Sequence, residues 1–304
     1  MSIDKAYASS GKIFEQVSKL HSPGMLEQLR QTGKEDIVVV RGTYDHIEKL
    51  LDTIKVPYTL IGHDDIASHN GGRVMFANCM AYNEISVPKK AVQQFVREGG
   101  RLVTTDWSLG LVTHTFPNRL KKVKETVDDV VEIQCFTDIG RRFIGLNYSQ
   151  CHPQWWLETS SHIYDVGQGV IPIITSKEME DKYGKPYVAV GFNEGDGEVF
   201  HFISHFELQR TRQSGKAGKA VKESLDDFLK KMKVEKTPDM EDATLVELEA
   251  AYSTLNTLAY LCLPSPILLT DMKSITTFGD SPSGAGKSDK GSKSSSLKSK
   301  SLVA

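Results

Sequence analysis

The first third of the chain alternates short apolar runs with stretches whose apolar residues recur every three or four positions. The apolar runs lie at 36–41, 57–61, 73–77 and 101–105. Such runs are typical of strands that are buried on both faces. Between them, 47–54 and 86–96 have helical spacing, and Gly99-Gly100 marks a helix end. This order predicts a doubly wound α/β domain, a flavodoxin-like three-layer sandwich with a mostly parallel sheet.

Beyond residue 129 the pattern favours strands. We predict them at 130–136, 142–147, 169–175, 186–192 and 198–204. Residues 192–197 supply Asn, Gly and Asp for a tight turn, so the last two strands are predicted to form a hairpin. A helix with apolar positions from Val221 to Met232 then closes the α/β domain, which we place at 34–235.

Residues 1–33 read as a helical N-terminal extension that breaks at 22–24. One face of this extension carries Ile13, Phe14, Val17 and Leu20. Residues 236–280 hold a C-terminal helix, which we predict to start at Thr237-Pro238, and an extended segment. Residues 281–304 are rich in Gly, Ser and Lys and cannot bury a core, so we predict a disordered basic tail.

The C-terminal helix has apolar residues at alternating spacings of three and four, which is an a/d seam. The seam consists of Leu245, Leu248, Tyr252, Leu255, Ala259 and Cys262. It spans fewer than three heptads, so two interpretations stay open. The helix docks on its own domain, or helix 240–262 binds a protein partner or a second copy of the chain.

The bulk composition indicates a soluble globular protein. At 304 residues and 39% hydrophobic content, the chain can bury one large core or two small ones. It has no run of eighteen apolar residues, and Met1 to Ser10 lacks the layout of a secretory signal, so we expect a cytoplasmic protein without a membrane partner. The formal charge of −2 includes a basic tail, so the rest is mildly acidic and no nucleic-acid partner is expected.

Cofactor and metal motifs are missing from the sequence. Four cysteines lie far apart, without a C-x-x-C pair: Cys79, Cys135, Cys151 and Cys262. We expect free thiols. His63, Asp64, Asp65 and His69 stand close together, but their spacing fits no familiar metal site. With no G-x-G-x-x-G run, no P-loop lysine and no H-E-x-x-H motif, we predict no cofactor and no bound metal ion.

The predicted strand 198–204 leads into the first candidate site, His205-Phe206-Glu207. Side chains two residues apart on a strand point the same way, so His205 and Glu207 could share a proton or orient one another. The alternative is that both are polar residues of a solvated strand end.

The second candidate site is the turn 106–110, which follows the predicted strand 101–105. Ligands of doubly wound sheets bind outside the carboxyl ends of strands. Ser108 is a candidate nucleophile there, and Asp106 a candidate acid, base or ligand-holding carboxylate. Alternatively one of them caps a helix while Trp107 packs in the core. Cys79 follows another strand and either borders the same crevice or is a structural thiol.

A polar and aromatic segment at 151–162 includes Trp155 and Trp156. Tryptophans either wall a pocket or anchor a core or an interface. Both interpretations stay open for this pair.

The stretches Gly99 to Gly110 and Phe202 to Glu207 resemble two motifs of the class I glutamine amidotransferase-like superfamily, which includes trehalose-utilisation-type domains. In that family a strand after a Gly-rich stop leads into a G-x-C-x-G turn with the nucleophilic cysteine. A later strand ends in His-x-Glu, which completes a Cys-His-Glu triad. The resemblance covers residues 36–233 and implies the same fold, with a crevice formed by 105–110, Cys79 and 205–207.

This chain departs from the family at the nucleophile, because no cysteine stands in the turn; the position falls on Asp106 or, with a shift of two residues, Ser108. Glutaminase chemistry needs a thiolate that a histidine can activate. The resemblance therefore implies a degenerate, non-catalytic domain, a pseudoenzyme that binds a small ligand or a protein partner through Cys79, Asp106, Trp107 and His205. The alternative is a hydrolase of an amide, ester or sugar-derived substrate, with Ser108 or Asp106 working with His205 and Glu207.

Overall fold

The computed structural model describes residues 3–69, 71–79, 88–146, 153–212 and 224–268. The strands are β1 (Ile37–Val40), β2 (Thr59–Ile61), β3 (Val74–Ala77), β4 (Arg101–Thr105), β5 (Leu120–Glu125), β6 (Asp129–Glu132), β7 (Gln154–Leu157), β8 (His162–Val166), β9 (Ile171–Thr175), β10 (Tyr187–Glu194) and β11 (Gly197–Phe202). The α-helices are α1 (Ile3–His21), α2 (Pro23–Arg30), α3 (Ile47–Thr53), α4 (Lys89–Arg97), α5 (Leu109–Thr115), α6 (Asp138–Ile144), α7 (Lys177–Tyr183), α8 (Leu225–Met232) and α9 (Leu245–Leu261).

A seven-stranded sheet with helices packed against it forms the centre of the described chain, in the order β2-β1-β3-β4-β11-β10-β9. Strands β2 to β11 in this order pair in parallel, while β10 pairs antiparallel with both β11 and β9. The first five positions follow the flavodoxin-like order, in which the chain winds outward in both directions from β1 and β3. The predicted mostly parallel, flavodoxin-like α/β fold is confirmed.

The central strands carry the apolar runs that the sequence marked. Every residue of β1, β3, β4 and β11 is buried, whereas the edge strand β2 is only half-buried. Burying a side chain such as Val39 or Phe200 contributes roughly 1.5–3 kcal/mol. The predicted hairpin is also confirmed, because β10 and β11 pair antiparallel up to Glu194 opposite Gly197.

The register brings three strand ends to the same edge of the sheet. Ala77 in β3 lies opposite Thr104 in β4, and Phe202 in β11 lies opposite Thr105 in β4. All three strands run in the same direction and end within about one residue of each other. The residues that follow them therefore leave the sheet side by side.

One predicted strand is wrong, because part of 142–147 lies in the helix α6. The Thr137 hydroxyl accepts the N–H of Gly140 at the start of this helix, and Gly145 ends it with a left-handed φ of 68°. The buried Ile139 and Phe143 stand four residues apart, which is helical spacing. The apolar composition of 142–147 is typical of a strand, but the cap at Thr137 and the glycine at position 145 favour a helix.

Two small antiparallel sheets, β5-β8 and β6-β7, complete the strands. The sequence did not predict β5, whose residues after Leu120 are all exposed and mostly charged. It did not predict β7 or β8 either, since both lie in or beside the segment taken as polar and aromatic. β7 is relevant to function because this strand ends next to the candidate functional site.

The N-terminal extension and the C-terminal helix both pack onto the domain. Ile13 and Phe14 of α1 are buried as predicted, whereas Leu20 is 52% exposed and lies off the buried face. α9 begins at Leu245 rather than at Pro238, which opens a separate 3-10 turn, Pro238–Asp242. The apolar seam of α9 is buried against α1 and α6 within the same chain. Binding of a partner through helix 240–262 stays a prediction.

A buried ion pair lies at the opposite edge of the sheet from these strand ends. Arg101 opens β4 and Glu198 lies near the start of β11, and their side chains meet at 2.8 Å between Nη2 and Oε2. Arg101 also donates to the carbonyl oxygens of Leu261, Leu263 and Ser265, each at 2.7 Å. The remaining Glu198 oxygen accepts the N–H groups of residues 267 and 268. The pair thus binds the chain that follows α9.

Some sequence predictions fall outside the described residues. These are Cys151, Val221 and the tail 281–304.

Within the described ranges, none of the helices combines the length and the apolar character that crossing a membrane requires.

Candidate functional site

Three side chains meet where β3, β4 and β11 end. Cys79 follows β3 by two residues, Asp106 follows β4 directly, and His205 follows β11 by three residues. Each is at most 2% exposed. The Cys79 Sγ, a carboxylate oxygen of Asp106 and a ring nitrogen of His205 all lie within 4.8 Å of one another. We call the cluster Cys79-Asp106-His205 the edge site.

The backbone of Asp106 is in the left-handed region, with a φ of 42°. The residue opens a 3-10 turn, Asp106–Ser108, which joins β4 to α5 without a linker. Holding a residue other than glycine in this conformation costs on the order of 1–3 kcal/mol, and such residues concentrate at functional sites. The result is a sharp strand-to-helix turn that presents one carboxylate at the sheet edge.

His205 lies between two carboxylates. Its Nε2 is 3.2 Å from Oδ2 of Asp106, and its Nδ1 is 3.3 Å from Oε2 of Glu158. Neither ring nitrogen has a partner in the direction that a hydrogen bond requires. The two contacts are therefore close ion pairs rather than hydrogen bonds.

Opposing effects act on the protonation of His205. Burial favours the neutral imidazole, but the Asp106 carboxylate and the Cys79 thiol beside the ring, together with the charge of Asp45, outweigh it and raise the pKa of His205 to about 11. The direction agrees with the geometry, since Nε2 lies 3.2 Å from a carboxylate that is equally buried. The ring is thus an imidazolium at neutral pH and cannot accept a proton as a general base.

Cys79 is held as a neutral thiol. Its Sγ lies 3.8 Å from Oδ2 of Asp106 and also accepts the backbone N–H of Trp107. Burial raises the pKa of the thiol. The loop after β1 fixes its backbone: the N–H of Thr43 donates to the Cys79 carbonyl at 3.0 Å, and a Cβ at Gly42 would lie 2.4 Å from that oxygen.

Buried polar contacts fix the chain around His205. The Asp45 carboxylate accepts the N–H groups of Phe206 and Glu207, both at 3.0 Å. The amide of Gln209 donates to the His205 carbonyl oxygen. These hydrogen bonds fix the backbone around His205, so its ring lies beside Asp106 without a rearrangement of the chain.

The structure does not pair Glu207 with His205. β11 ends at Phe202, so the alternation of a strand no longer applies at 205–207. The Oε1 of Glu207 instead accepts a hydrogen bond from Nζ of Lys49 at 2.7 Å. The carboxylate that lies beside Nδ1 of His205 is that of Glu158.

Sequence reasoning missed Glu158. It follows β7 directly, and its side chain is 36% exposed. The available signal was a carboxylate after the apolar pair Trp155-Trp156. Nothing in the pattern along the chain shows that β7 brings this carboxylate to the end of β11.

Ser108 and Trp107 share the turn with Asp106 but have other contacts. The Ser108 hydroxyl donates to the carbonyl oxygen of Asn78 at 2.7 Å, and the residue stands at the N-cap position of α5 without capping it by its side chain. The Trp107 ring stacks on His162 at 5.9 Å between centroids and meets the Tyr44 ring edge-on at 5.8 Å. The half-buried Trp107 is thus part of a small aromatic cluster beside the edge site.

The two tryptophans of β7 have different roles. Trp156 lies edge-on to His205, with centroids 6.2 Å apart, and carries the guanidinium of Arg210 at 4.0 Å from its ring centroid. Trp155 points into the core, where its Nε1 donates to the Ser253 hydroxyl at 3.0 Å. One therefore borders the site and the other anchors the core.

Two other features lie away from the edge site. His63 pairs only with its neighbour Asp64, at 2.9 Å between Nε2 and Oδ1, among the ion pairs of the described residues. A cavity of about 450 Å³ lies between α6 and the chain after α9, lined by Phe143, Tyr260 and Ile267 among others. The lining of this cavity is mainly apolar. Acidic, basic and thiol side chains come together at the edge site instead, which makes that site the better candidate for function.

Comparison with known proteins is informative only at the level of structure. No family model matches the chain, and neither does any curated protein. A solved glutamine amidotransferase from Thermotoga maritima is similar over 77% of this chain and all of its own, with 10% identity and a TM-score of 0.44. A ThuA-like protein from Bacteroides uniformis is similar over 57% of this chain and 83% of its own, with 7% identity and a TM-score of 0.39.

A β-galactosidase from Rahnella sp. R3 is also similar, at 12% identity and a TM-score of 0.41. This chain spans only 29% of its length, and the match covers 57% of this chain. The structural neighbours thus include glutamine amidotransferases and a ThuA-like protein. Similarity at this level concerns the arrangement of the chain and not its activity.

Proposed function

We propose that this chain is a non-catalytic binding protein whose edge site holds a small ligand. The observation that carries the proposal is the buried ion pair at the strand-to-helix turn, with Asp106 Oδ2 3.2 Å from His205 Nε2. The donor atoms of the edge site are buried, so a flat protein surface cannot reach them. A small ligand is therefore the better candidate than a protein partner.

The chemistry of the pair supports binding over amide transfer. A glutaminase forms a thioester on a thiolate, and the turn presents a carboxylate instead. His205, with a pKa raised to about 11, holds its proton at pH 7 and does not activate a nucleophile. The thiol of Cys79, whose pKa burial raises, stands after a different strand and is not a thiolate either.

One observation favours the alternative hydrolase. The left-handed φ of 42° at Asp106 is a strained conformation of the kind that concentrates at functional sites, and carboxylates do form covalent ester intermediates. In that mechanism Asp106 is the nucleophile. Ser108 is the weaker candidate, because its hydroxyl already donates to a backbone carbonyl.

Hydrolysis assays separate the two functions. We expect the full chain to release no ammonia from L-glutamine, and to hydrolyse p-nitrophenyl acetate no faster than the variants Asp106→Asn and His205→Gln. General acid-base groups are worth about 10²–10⁴-fold, so a hydrolase would lose at least that factor in these variants. Glu207→Gln is the matched control, since this carboxylate pairs with Lys49. Turnover that depends on Asp106, in variants that stay folded, would replace binding by hydrolysis.

A further inference from the structure

The edge site offers one sulfur, one oxygen and one nitrogen donor within a few ångströms. The Cys79 Sγ is 3.8 Å from Oδ2 of Asp106, and the same oxygen is 3.2 Å from Nε2 of His205. All three donors lie within 4.8 Å of one another. Such a set comes from three separate strand ends, so the fold and not a local motif assembles it.

These separations come close to those around a tetrahedral metal ion. Zinc binds sulfur at about 2.3 Å and nitrogen or oxygen at about 2.0–2.2 Å, which at the tetrahedral angle places sulfur about 3.5–3.7 Å from oxygen and oxygen about 3.3–3.6 Å from nitrogen. The two measured distances, 3.8 Å and 3.2 Å, lie just outside these ranges, and the Cys79 sulfur lies within 4.8 Å of the His205 nitrogen. An ion between the donors therefore requires a modest rearrangement of the three side chains.

Buried polar atoms of the edge site lack partners. Both ring nitrogens of His205 and Oδ1 of Asp106 are shielded from solvent and have no hydrogen-bond partner. Leaving such an atom unsatisfied destabilises the folded state. An ion between the three donors would bind Nε2 of His205, which has no hydrogen-bond partner.

We propose that Cys79, Asp106 and His205 coordinate one zinc ion through sulfur, a carboxylate oxygen and a ring nitrogen. The inference names the ligand of the proposed binding function and rests on it. Thiolate and imidazole ligands select zinc and similar transition metals over magnesium and calcium, which prefer oxygen ligands. Three protein ligands leave a fourth position for water or a small anion.

Glu158 supports the proposed ion from outside the ligand set. It lies 3.3 Å from Nδ1 of His205, on the side of the ring opposite Nε2. Histidine ligands of metals commonly have a carboxylate on the other ring nitrogen, which fixes the ring and increases its basicity. Glu158, which the sequence did not predict, is therefore a positioning residue.

Zinc binding displaces protons and places the ion among negative charges. Zinc takes a thiolate sulfur, an unprotonated ring nitrogen and a carboxylate oxygen as ligands, so any proton on the Cys79 sulfur or on Nε2 of His205 goes to solvent. The bound ion faces the Cys79 thiolate and the carboxylates of Asp106 and Glu158, so its two positive charges are not buried without negative charges beside them.

Zinc titration of the full chain tests the proposal. After removal of metals with a chelator, zinc is added in competition with a chromophoric chelator of known affinity. We expect one zinc ion per chain, and a larger loss of affinity in Cys79→Ser, Asp106→Asn and His205→Gln than the ~10–100-fold expected for Glu158→Gln. Cys135→Ser and Glu207→Gln are the controls and should bind zinc like the unmodified chain. Thermal unfolding of each variant without metal shows whether it is folded.

Cobalt substitution reports the ligands directly. A tetrahedral Co²⁺ ion with one thiolate should show visible d–d bands and a sulfur-to-metal charge-transfer band in the near ultraviolet. The charge-transfer band should vanish in Cys79→Ser, which preserves the size of the side chain, and stay in Cys135→Ser. Magnesium at the same concentration should not compete.

The proposal is overturned if the chain binds no zinc, or if folded Cys79→Ser binds it with unchanged affinity and the same cobalt spectrum. That failure leaves the non-catalytic function standing, because the hydrolysis assays are run both with added zinc and with a chelator and are read independently of the titration. Conversely, turnover that Asp106→Asn abolishes under either condition refutes the non-catalytic function whatever the zinc titration gives.

Discussion

At the scale of single residues, the edge site concentrates charge where the fold excludes water. His205 and Asp106 are each 2% exposed, and only Glu158, at 36%, keeps contact with solvent. Breaking a buried pair by removing one partner typically costs about 3–5 kcal/mol, because the remaining charge is left without compensation. Conservative amides are therefore the informative substitutions at this site.

A second buried histidine behaves in the opposite way. Among the described residues no carboxylate contributes to the pKa of His201 in β11, and its Nδ1 shares a hydrogen bond with the Thr104 hydroxyl at 2.9 Å. Burial, with a small contribution from His162, lowers the pKa of His201 to about 3. The two histidines are four residues apart, and their different neighbours leave His201 neutral and His205 positively charged at neutral pH.

His201 makes stability depend on pH. In the unfolded chain its pKa returns to about 6.5, so between about 3 and 6.5 the unfolded state binds a proton that the folded state does not. The stabilisation is complete above pH 6.5 and is lost as pH falls, by up to about 1.4 kcal/mol per pH unit. Denaturant unfolding at pH 4, 5, 6 and 7.5 should show a weaker dependence in His201→Gln. The exposed His63→Gln should follow the unmodified chain; equal slopes in all three proteins would contradict the assignment.

At the scale of elements, α9 is unusual because almost all of its surface is buried. Its amino end carries a capping box, in which the Thr244 hydroxyl accepts the N–H of Glu247 and the Glu247 carboxylate accepts the N–H of Thr244 at 2.8 Å. Polar residues inside the helix also serve the packing: Asn256 donates to the carbonyl oxygens of Arg142 and Phe143 at the end of α6. The helix is thus fixed at its start and against its neighbour.

Loss of the cap should destabilise the chain by a modest and predictable amount. In Thr244→Ala one N–H of the first turn loses its acceptor, which costs about 0.5–2 kcal/mol of unfolding free energy. Thr244→Ser keeps the hydroxyl and should restore the stability to within a few tenths of a kcal/mol. Chemical denaturation of the three proteins measures the differences. If Thr244→Ser is as unstable as Thr244→Ala, the methyl group and not the cap is what matters.

At the scale of the whole molecule, buried polar side chains interact at both ends of the parallel strands. The edge site lies at the carboxyl ends of β3, β4 and β11, and the Arg101–Glu198 pair lies at the amino ends of β4 and β11. The pair attaches residues 261–268 to the sheet through five further hydrogen bonds to their backbone. Burial lowers the pKa of Arg101, but an arginine stays charged.

The Arg101–Glu198 pair should matter far more than a surface pair of the same type. Glu198→Gln leaves the charge of Arg101 buried without its counter-ion, which is expected to cost about 3–5 kcal/mol. Arg97→Gln removes an exposed pair with Glu194 at the same sequence spacing, and should cost about 0.2–1 kcal/mol. Urea unfolding compares the two. Equal losses of unfolding free energy would mean that the backbone hydrogen bonds, and not the buried charge, attach the chain after α9 to the sheet.

Prediction from the sequence succeeded where the signal was local. The apolar runs of β1, β3, β4 and β11 fix a parallel sheet, because strands buried on both faces leave a continuous apolar pattern. Prediction failed for α6, where the cap and the glycine outweigh the composition. It also failed for β5, a surface strand whose charged residues carry no strand pattern.

The sequence by itself determined that Cys79, Asp106 and His205 each follow a buried strand, since short-range patterns mark strand ends. Only the tertiary structure decided which of these groups meet. Register brings the ends of β3, β4 and β11 together, and the end of β11 at Phe202 turns Glu207 toward Lys49. β7 supplies Glu158 in its place, because pairing between segments distant along the chain depends on the packed fold and leaves no local trace.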